Sequence, residues 1–167
     1  IGEGDCDVAI IGGGYTGLSC ALTLASRYGV NPLVLEANQI GWGCSGRNGS
    51  FARPAIGRLP YADWPHAFGE AGARALFAEA MAALETTRGL ISDNAIDCDQ
   101  QPDGWLKIAH RPSRIDALLA EARLLHKVFD FNAEFLDAER LAAEHLQGGE
   151  AFGALRWPVS FAMHPLK

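Results

Sequence analysis

The stretch Asp7–Ala21, "DVAIIGGGYTGLSCA", decides the fold of this chain of 167 residues. Four apolar residues, Val8–Ile11, run directly into three consecutive glycines, and a fourth glycine follows at position 17. A short continuous apolar run bounded by glycine is typical of a β-strand that is buried on both faces. Apolar residues then recur at helical spacing from Thr16 to Tyr28, and Gly29 stands where such a helix would stop.

A second apolar run, Leu33–Glu36, completes a strand–helix–strand order within about 30 residues, the length of a βαβ unit. The two strands of such a unit are parallel, and the crossover between them is right-handed. The sequence therefore predicts an α/β fold that begins with a Rossmann-like βαβ unit.

The glycines fit the pattern G-x-G-x-x-G, with Gly12, Gly14 and Gly17 in the three fixed positions. The first permits a tight turn, the second lets a pyrophosphate approach the backbone, and the third lets the helix lie close to the strand. Glu36 ends the second strand, where a carboxylate can accept hydrogen bonds from a ribose diol and would repel a 2′-phosphate. The pattern lies directly between a predicted strand and a predicted helix, and therefore predicts a dinucleotide site that is not specific for NADP.

Composition excludes several other classes of function. Hydrophobic residues make up 49% of the chain, charged residues make up 20%, and the net charge of −6 offers no basic patch for nucleic acid. No apolar run reaches membrane-spanning length. The four cysteines form no CxxC pair and show no metal-ligand spacing with histidine, so we expect reduced thiols, no metal site and a cytoplasmic location.

The rest of the chain predicts a loop followed by helices and a hairpin. Gly41–Arg58 is rich in Gly, Ser, Asn and Arg without periodicity, which is typical of a loop that contacts a ligand. Ala67–Leu90 carries an apolar stripe at helical spacing. Ile96–Gln101 and Trp105–His110 flank a Pro-Asp-Gly turn signal, which predicts a β-hairpin.

Beyond the hairpin, three further elements are predicted. A helix begins near Ser113 and Asp116, and a shorter helix capped by Asp137 extends through His145. Ala151–Trp157 is expected to be a strand.

Three stretches carry a resemblance to a known family: "DVAIIGGGYTGLSCALTLA", "LVLEANQIGWGCSGRNGS" and the closing "MHPLK". In these stretches the chain resembles the FAD-dependent amine and amino-acid oxidoreductases of the D-amino-acid-oxidase superfamily, which includes glycine oxidase and sarcosine oxidase. The γ-glutamylputrescine oxidase-like branch is the most similar. An NAD-linked dehydrogenase would continue with regular β–α units, whereas here a non-repeating Arg/Asn/Gly loop follows Glu36 almost at once.

The resemblance implies that FAD is the dinucleotide and assigns its contacts. The pyrophosphate would lie against Gly12, Gly13, Gly14, Tyr15, Thr16 and Gly17, and the adenosine ribose against Glu36 and Ala37. The loop formed by Ser45, Gly46, Arg47, Asn48 and Gly49 would lie near the pyrophosphate and the flavin. The chain departs from the family pattern at Cys44, where alanine is common, and at Ser50, where glycine often follows.

The resemblance also implies the reaction, which is hydride transfer from the carbon that bears the substrate nitrogen to flavin N5. The partners would be a small amine or amino acid and, as electron acceptor, oxygen. The five histidines show no partner pattern, so no catalytic residue is assigned. The sequence does not identify the amine.

By this resemblance, residues 1–60 are the N-terminal part of the FAD-binding domain, 61–157 part of an α+β substrate domain, and 158–167 the start of the return to the first. We expect an incomplete fold, the N-terminal piece of a protein more than twice as long. Such a piece would be inactive, would retain no FAD, and would self-associate through unpaired apolar strands. An NAD-linked dehydrogenase and a non-catalytic flavin-binding module remain as alternatives.

Overall fold

A computed structural model describes residues 4–146 and 149–167. These residues form two compact units: an N-terminal unit, which contains the residues up to Ser50 together with His164–Lys167, and a second unit, Phe51–Met163. The strands are β1 (Val8–Ile11), β2 (Pro32–Leu35), β3 (Phe51–Ala52), β4 (Trp105–Ile108), β5 (Glu134–Asp137), β6 (Gly153–Trp157) and β7 (Phe161–Ala162). The α-helices are α1 (Tyr15–Tyr28), α2 (Trp64–Asp93), α3 (Ile115–Phe129) and α4 (Ala138–Glu144).

The N-terminal unit contains the predicted βαβ arrangement. β1 and β2 pair in parallel, in a register that joins Val8 to Pro32 and Ile11 to Leu35. α1 connects them and ends at Gly29, whose φ of 62° is left-handed and therefore suits a residue without a Cβ. The α/β fold class with a Rossmann-like βαβ unit is confirmed.

The expected burial of β1 is wrong for the described residues. Ile11 is 90% exposed, and no residue of α1 is buried. In the described part of the chain β1 and β2 pair only with each other, so each has a free edge. A strand of a parallel sheet is buried when layers cover both of its faces.

The second unit is built on an antiparallel sheet of three strands in the order β4-β6-β5. Its core contains the fully buried side chains of Trp64, Leu125, Leu155 and Trp157. The two tryptophans belong to a cluster of ring contacts around Tyr61 that also includes Phe77, Phe129 and Phe131. The short pair β3-β7, also antiparallel, belongs to the same unit.

The predicted hairpin of Ile96–Gln101 with Trp105–His110 is wrong. β4 pairs with β6, with Trp105 opposite Trp157, and residues 96–101 form no strand. The chain does bend at Asp103, and the φ of Gly104 is 126°. The turn signal is local, whereas the partner of β4 lies about 50 residues downstream, where no local pattern could indicate it.

Other boundaries differ in smaller ways. β5 and β3 were not predicted, and β3 lies inside the segment expected to be loop. α2 is longer than predicted and is interrupted at Gly69, whose φ of 70° and ψ of 163° are not helical. The helix after Ser113, the strand near Ala151–Trp157 and the cap at Asp137 are confirmed, since Asp137 Oδ1 accepts a hydrogen bond from the Arg140 amide at 2.8 Å.

Candidate cofactor site

The glycine turn at the end of β1 is held by backbone hydrogen bonds on both sides. Gly12, with a φ of 106°, donates its amide to the Leu35 carbonyl at 2.8 Å. The Gly13 carbonyl accepts the Gly41 amide, also at 2.8 Å. The turn is therefore fixed to the end of β2 and to the loop that follows it.

Three of these glycines lie where a side chain would collide with a neighbour. A Cβ on Gly17 would overlap the Gly12 carbonyl oxygen, which is the close helix–strand approach that the fingerprint requires of its third glycine. A Cβ on Gly14 would lie 2.8 Å from Ser45 Oγ, and one on Gly13 would lie 2.5 Å from the Ile40 side chain. The turn thus presents bare backbone on its inner side.

The Glu36 carboxylate follows β2 and accepts two backbone hydrogen bonds. Oε2 accepts the Gly13 amide at 2.8 Å, and Oε1 accepts the Asn38 amide at 3.0 Å. The pKa of Glu36 is below its ordinary value, and the largest cause is the hydrogen bond from the Gly13 amide, followed by the one from the Asn38 amide. The carboxylate is therefore ionised at neutral pH, and its remaining lone pairs can accept further hydrogen bonds.

The first turn of α1 provides hydrogen-bond donors at the same place. First-turn amides have no acceptor within their own helix, and the helix dipole adds partial positive charge there. The Tyr15 amide donates to Ser45 Oγ at 3.0 Å, which brings the loop that contains Ser45 to this helix end. No acidic side chain lies in the first turn, so no carboxylate of this helix would repel an anion.

The loop that contains Ser45 is ordered mainly by Asn48. The Asn48 side-chain amide donates to the Cys44 and Ser45 carbonyls at 3.1 Å and 2.8 Å, and its Oδ1 accepts the Ser50 amide at 2.8 Å. The φ of Ser50 is 63°, a left-handed conformation that glycine adopts more readily than serine. The Arg47 guanidinium lies over the exposed Trp42 ring, 4.2 Å from its centroid.

The structure thus brings together the glycine turn, Glu36 and Ser45. Arg47 and Asn48 make the contacts described above within their own loop, and Cβ atoms on Gly46 and Gly41 would each meet the Leu166 side chain. No local pattern indicated that contact, although the closing "MHPLK" is part of the family resemblance.

The same closing segment also reaches the first helix turn. Tyr15 Oη donates to the Pro165 carbonyl at 3.0 Å. The end of the described chain therefore packs against both the loop and the start of α1.

Comparison with known proteins identifies the family to which this arrangement belongs. A profile of the FAD dependent oxidoreductase (DAO) family matches residues 7–167. The chain belongs to this family. Its cofactor class is therefore FAD, while the individual contacts assigned to Gly12–Gly17, Glu36, Ala37 and Ser45–Gly49 remain predictions.

Relatives and solved structures agree with the family. The chain is 35% identical over 162 residues to γ-glutamylputrescine oxidoreductase of Escherichia coli, covering 96% of this chain and 37% of that protein. It is 39% identical over 174 residues to the probable oxidoreductase OrdL of Rhizobium meliloti, covering 99% and 38%. Glycine oxidase of Geobacillus kaustophilus has a similar fold, with a TM-score of 0.66 at 22% identity, over 96% of this chain and 41% of that one. The chain thus spans less than two fifths of the length of the γ-glutamylputrescine oxidoreductase and of OrdL.

Proposed function

We propose that this chain is the dinucleotide-binding end of an FAD-dependent oxidoreductase that oxidises the C–N bond of an amine or amino acid. The observation that carries the proposal is the glycine turn of the βαβ unit, which lies beside the N-terminus of α1 and the ionised Glu36. The names of two similar proteins, a γ-glutamylputrescine oxidoreductase and a glycine oxidase, support the substrate class.

The residues present fit the ADP half of FAD. A pyrophosphate needs backbone amides, which the first turn of α1 offers, and Gly14, which bears no side chain, lies at that turn beside Ser45 Oγ. A ribose diol needs an acceptor, which Glu36 offers at the end of β2. The loop Ser45–Gly49 would contribute the Ser45 hydroxyl, which already contacts the helix end, and the Arg47 guanidinium.

When bound, FAD would supply a hydride acceptor, its N5, for the carbon that bears the substrate nitrogen. The residues described here would bind and orient that cofactor. No catalytic side chain is assigned to them.

Equilibrium titration of the chain with ADP, the half of FAD that these residues would contact, tests the cofactor contacts. Substitution Gly14→Val introduces a side chain at Ser45 Oγ and at the proposed phosphate position, so we expect ADP binding to be lost. Gly43 is a matched control, because a Cβ there meets nothing within 4 Å, and Gly43→Val should bind ADP as the parent does. Equal ADP affinity in the parent and in Gly14→Val would contradict the assignment.

Substitution Glu36→Gln keeps the size of the side chain but removes the negative charge of the carboxylate, whose Oε2 accepts the Gly13 amide. We expect weaker binding of ADP-ribose without its abolition, because the pyrophosphate contacts remain. An unchanged dissociation constant would remove Glu36 from the proposed site.

A chimera tests whether the chain can serve a working oxidoreductase. In it, this chain replaces the matching part of the Escherichia coli γ-glutamylputrescine oxidoreductase. We expect a yellow protein whose flavin colour is bleached by the amine substrate. A colourless chimera that is folded would contradict the proposal, and a yellow one that amines do not bleach would favour a non-catalytic flavin-binding module.

A further inference from the structure

A cleft of about 730 Å³ lies wholly within the second unit, among the segment that follows β3, strand β4 and helix α3. Its polar lining consists of Arg53, Arg58, Tyr61, Lys107 and Glu121. Trp105 and several small or aliphatic residues complete the wall. The volume is in the range of small-molecule sites, roughly 300–1,000 Å³.

Arg53 is held in a defined position beside this cleft. It directly follows β3 and precedes the buried Pro54, whose carbonyl accepts the Tyr61 hydroxyl at 2.9 Å. The Arg53 guanidinium lies over the Trp105 ring, 3.6 Å from the centroid. A guanidinium whose face is covered by an aromatic ring directs its N–H groups outward in its own plane, the geometry that matches a carboxylate.

The charges of the cleft are unbalanced. Lys107 is paired with Glu121 across it. In the described parts of the chain neither Arg53 nor Arg58 has a carboxylate partner, and the buried Arg53 Nε has no hydrogen-bond acceptor. Two guanidinium groups without a carboxylate partner among the described residues therefore line this cleft, although the chain as a whole carries a net charge of −6.

The uncharged wall gives a second indication of the ligand. Leu59 lines the cleft, and Ala117, Ala120 and Leu124 of α3 line it too. Apolar lining with few convergent polar groups is typical of sites for small organic molecules. An inorganic anion would leave this apolar lining without a contact.

We propose that this cleft binds a small organic carboxylate. The Arg53 guanidinium, stacked on Trp105, donates hydrogen bonds to the carboxylate, and the apolar part of the ligand packs against α3. Arg58 provides a second positive charge at the opening. Carboxylate binding here requires no flavin. If the ligand is the amine substrate, that substrate carries a carboxylate. Only this identification of the ligand rests on the proposed function.

Binding of butyrate and of the uncharged butyramide to the 167-residue chain tests the site. The two molecules have the same carbon skeleton, and amide NMR shifts together with the indole N–H signals report where each one binds. The Trp105 signal is identified with Trp105→Phe. We expect butyrate, and not butyramide, to shift the signals of Arg53 and Trp105 with saturation.

Three variants give the control. Arg53→Gln removes the donor and should weaken butyrate binding on the order of tenfold or more, the effect of one charge-assisted hydrogen bond. Arg58→Gln, in an exposed loop, should weaken it less and keeps the test valid if Arg53→Gln does not fold. Arg74→Gln changes an exposed arginine on α2, remote from the cleft lining, and should leave binding unchanged.

The outcomes that overturn the proposal are specific. Equal shifts by butyrate and butyramide, unchanged butyrate affinity in both Arg53→Gln and Arg58→Gln, or tighter binding of inorganic phosphate than of butyrate would each do so. Because none of these measurements uses flavin, failure of the cofactor test, which is equal ADP affinity in the parent and in Gly14→Val, would leave this site standing. Failure here would likewise leave the cofactor site unaffected.

Discussion

Substitution Tyr61→Phe probes the segment that connects the core of the second unit to the cleft. The Tyr61 side chain is 7% exposed, and its hydroxyl donates to the Pro54 carbonyl. Removing the hydroxyl leaves a buried acceptor without its partner, which costs about 1–3 kcal/mol. We therefore expect the free energy of unfolding at neutral pH to fall by about that amount, while the ring contacts are retained.

The same residue gives a prediction in alkaline solution. Burial raises the pKa of Tyr61 from 10.0 to about 12, although the charge and the hydrogen bond of Arg53 act in the opposite direction. Below pH 10 the neutral phenol is present in both states and its full contribution remains. As the pH rises from about 10 to 12 the unfolded state alone loses the proton, so stability decreases by about 1.4 kcal/mol per pH unit.

The assay is urea unfolding followed by tryptophan fluorescence, at neutral pH and at several values above pH 10. The parent should lose about 3 kcal/mol across the alkaline window through this residue, and Tyr61→Phe should lack that component. Tyr28→Phe is the control, because Tyr28 is 70% exposed. If Tyr61→Phe unfolds at the same urea concentration as the parent and shows the same alkaline decline, the described environment of Tyr61 is wrong.

Three further predictions concern a helix end, the exposed sheet and the reaction. Asp137→Ala removes the cap of α4, so it should lower the free energy of unfolding measured in urea by about 0.5–2 kcal/mol. Asp137→Asn should retain most of the parent's stability, and an equal loss in both variants would exclude the cap. Ile11→Ser removes the most exposed apolar side chain of β1, so it should reduce self-association of the chain measured by analytical ultracentrifugation. Unchanged association would place the contact elsewhere. The chimera should release one peroxide per amine oxidised if oxygen is the acceptor, whereas turnover with an artificial acceptor and no peroxide would identify a dehydrogenase.

The part of the fold that the sequence predicted is the part determined by local chemistry. Gly12 and Gly29 both have positive φ, and Asp137 caps its helix through its own side chain. Each of these residues performs its role within a few positions of itself, so a pattern of residue types is enough to reveal it. The end of β2 before Glu36 was predicted within one residue for the same reason.

The errors concern partners that are distant in the sequence. β4 finds its neighbour in β6, and β5, a strand of four residues with charged ends, pairs with that same strand. The exposure of Ile11 likewise depends on whether other layers cover the sheet, which no local pattern encodes. In the candidate site, Glu36 and the glycine turn were predicted from spacing, but the contacts of Leu166 with the loop glycines were not.

The distribution of tryptophan gives the two units separate optical signals. Trp42, the one tryptophan of the N-terminal unit, is 51% exposed and lies beside Arg47. The other three belong to the second unit, where Trp64 and Trp157 are fully buried. A water-soluble quencher such as iodide should therefore dim mainly Trp42. Comparing emission in the parent with emission in Trp42→Phe would then report the melting of each unit separately, and show whether a nucleotide added to the first unit changes its stability alone.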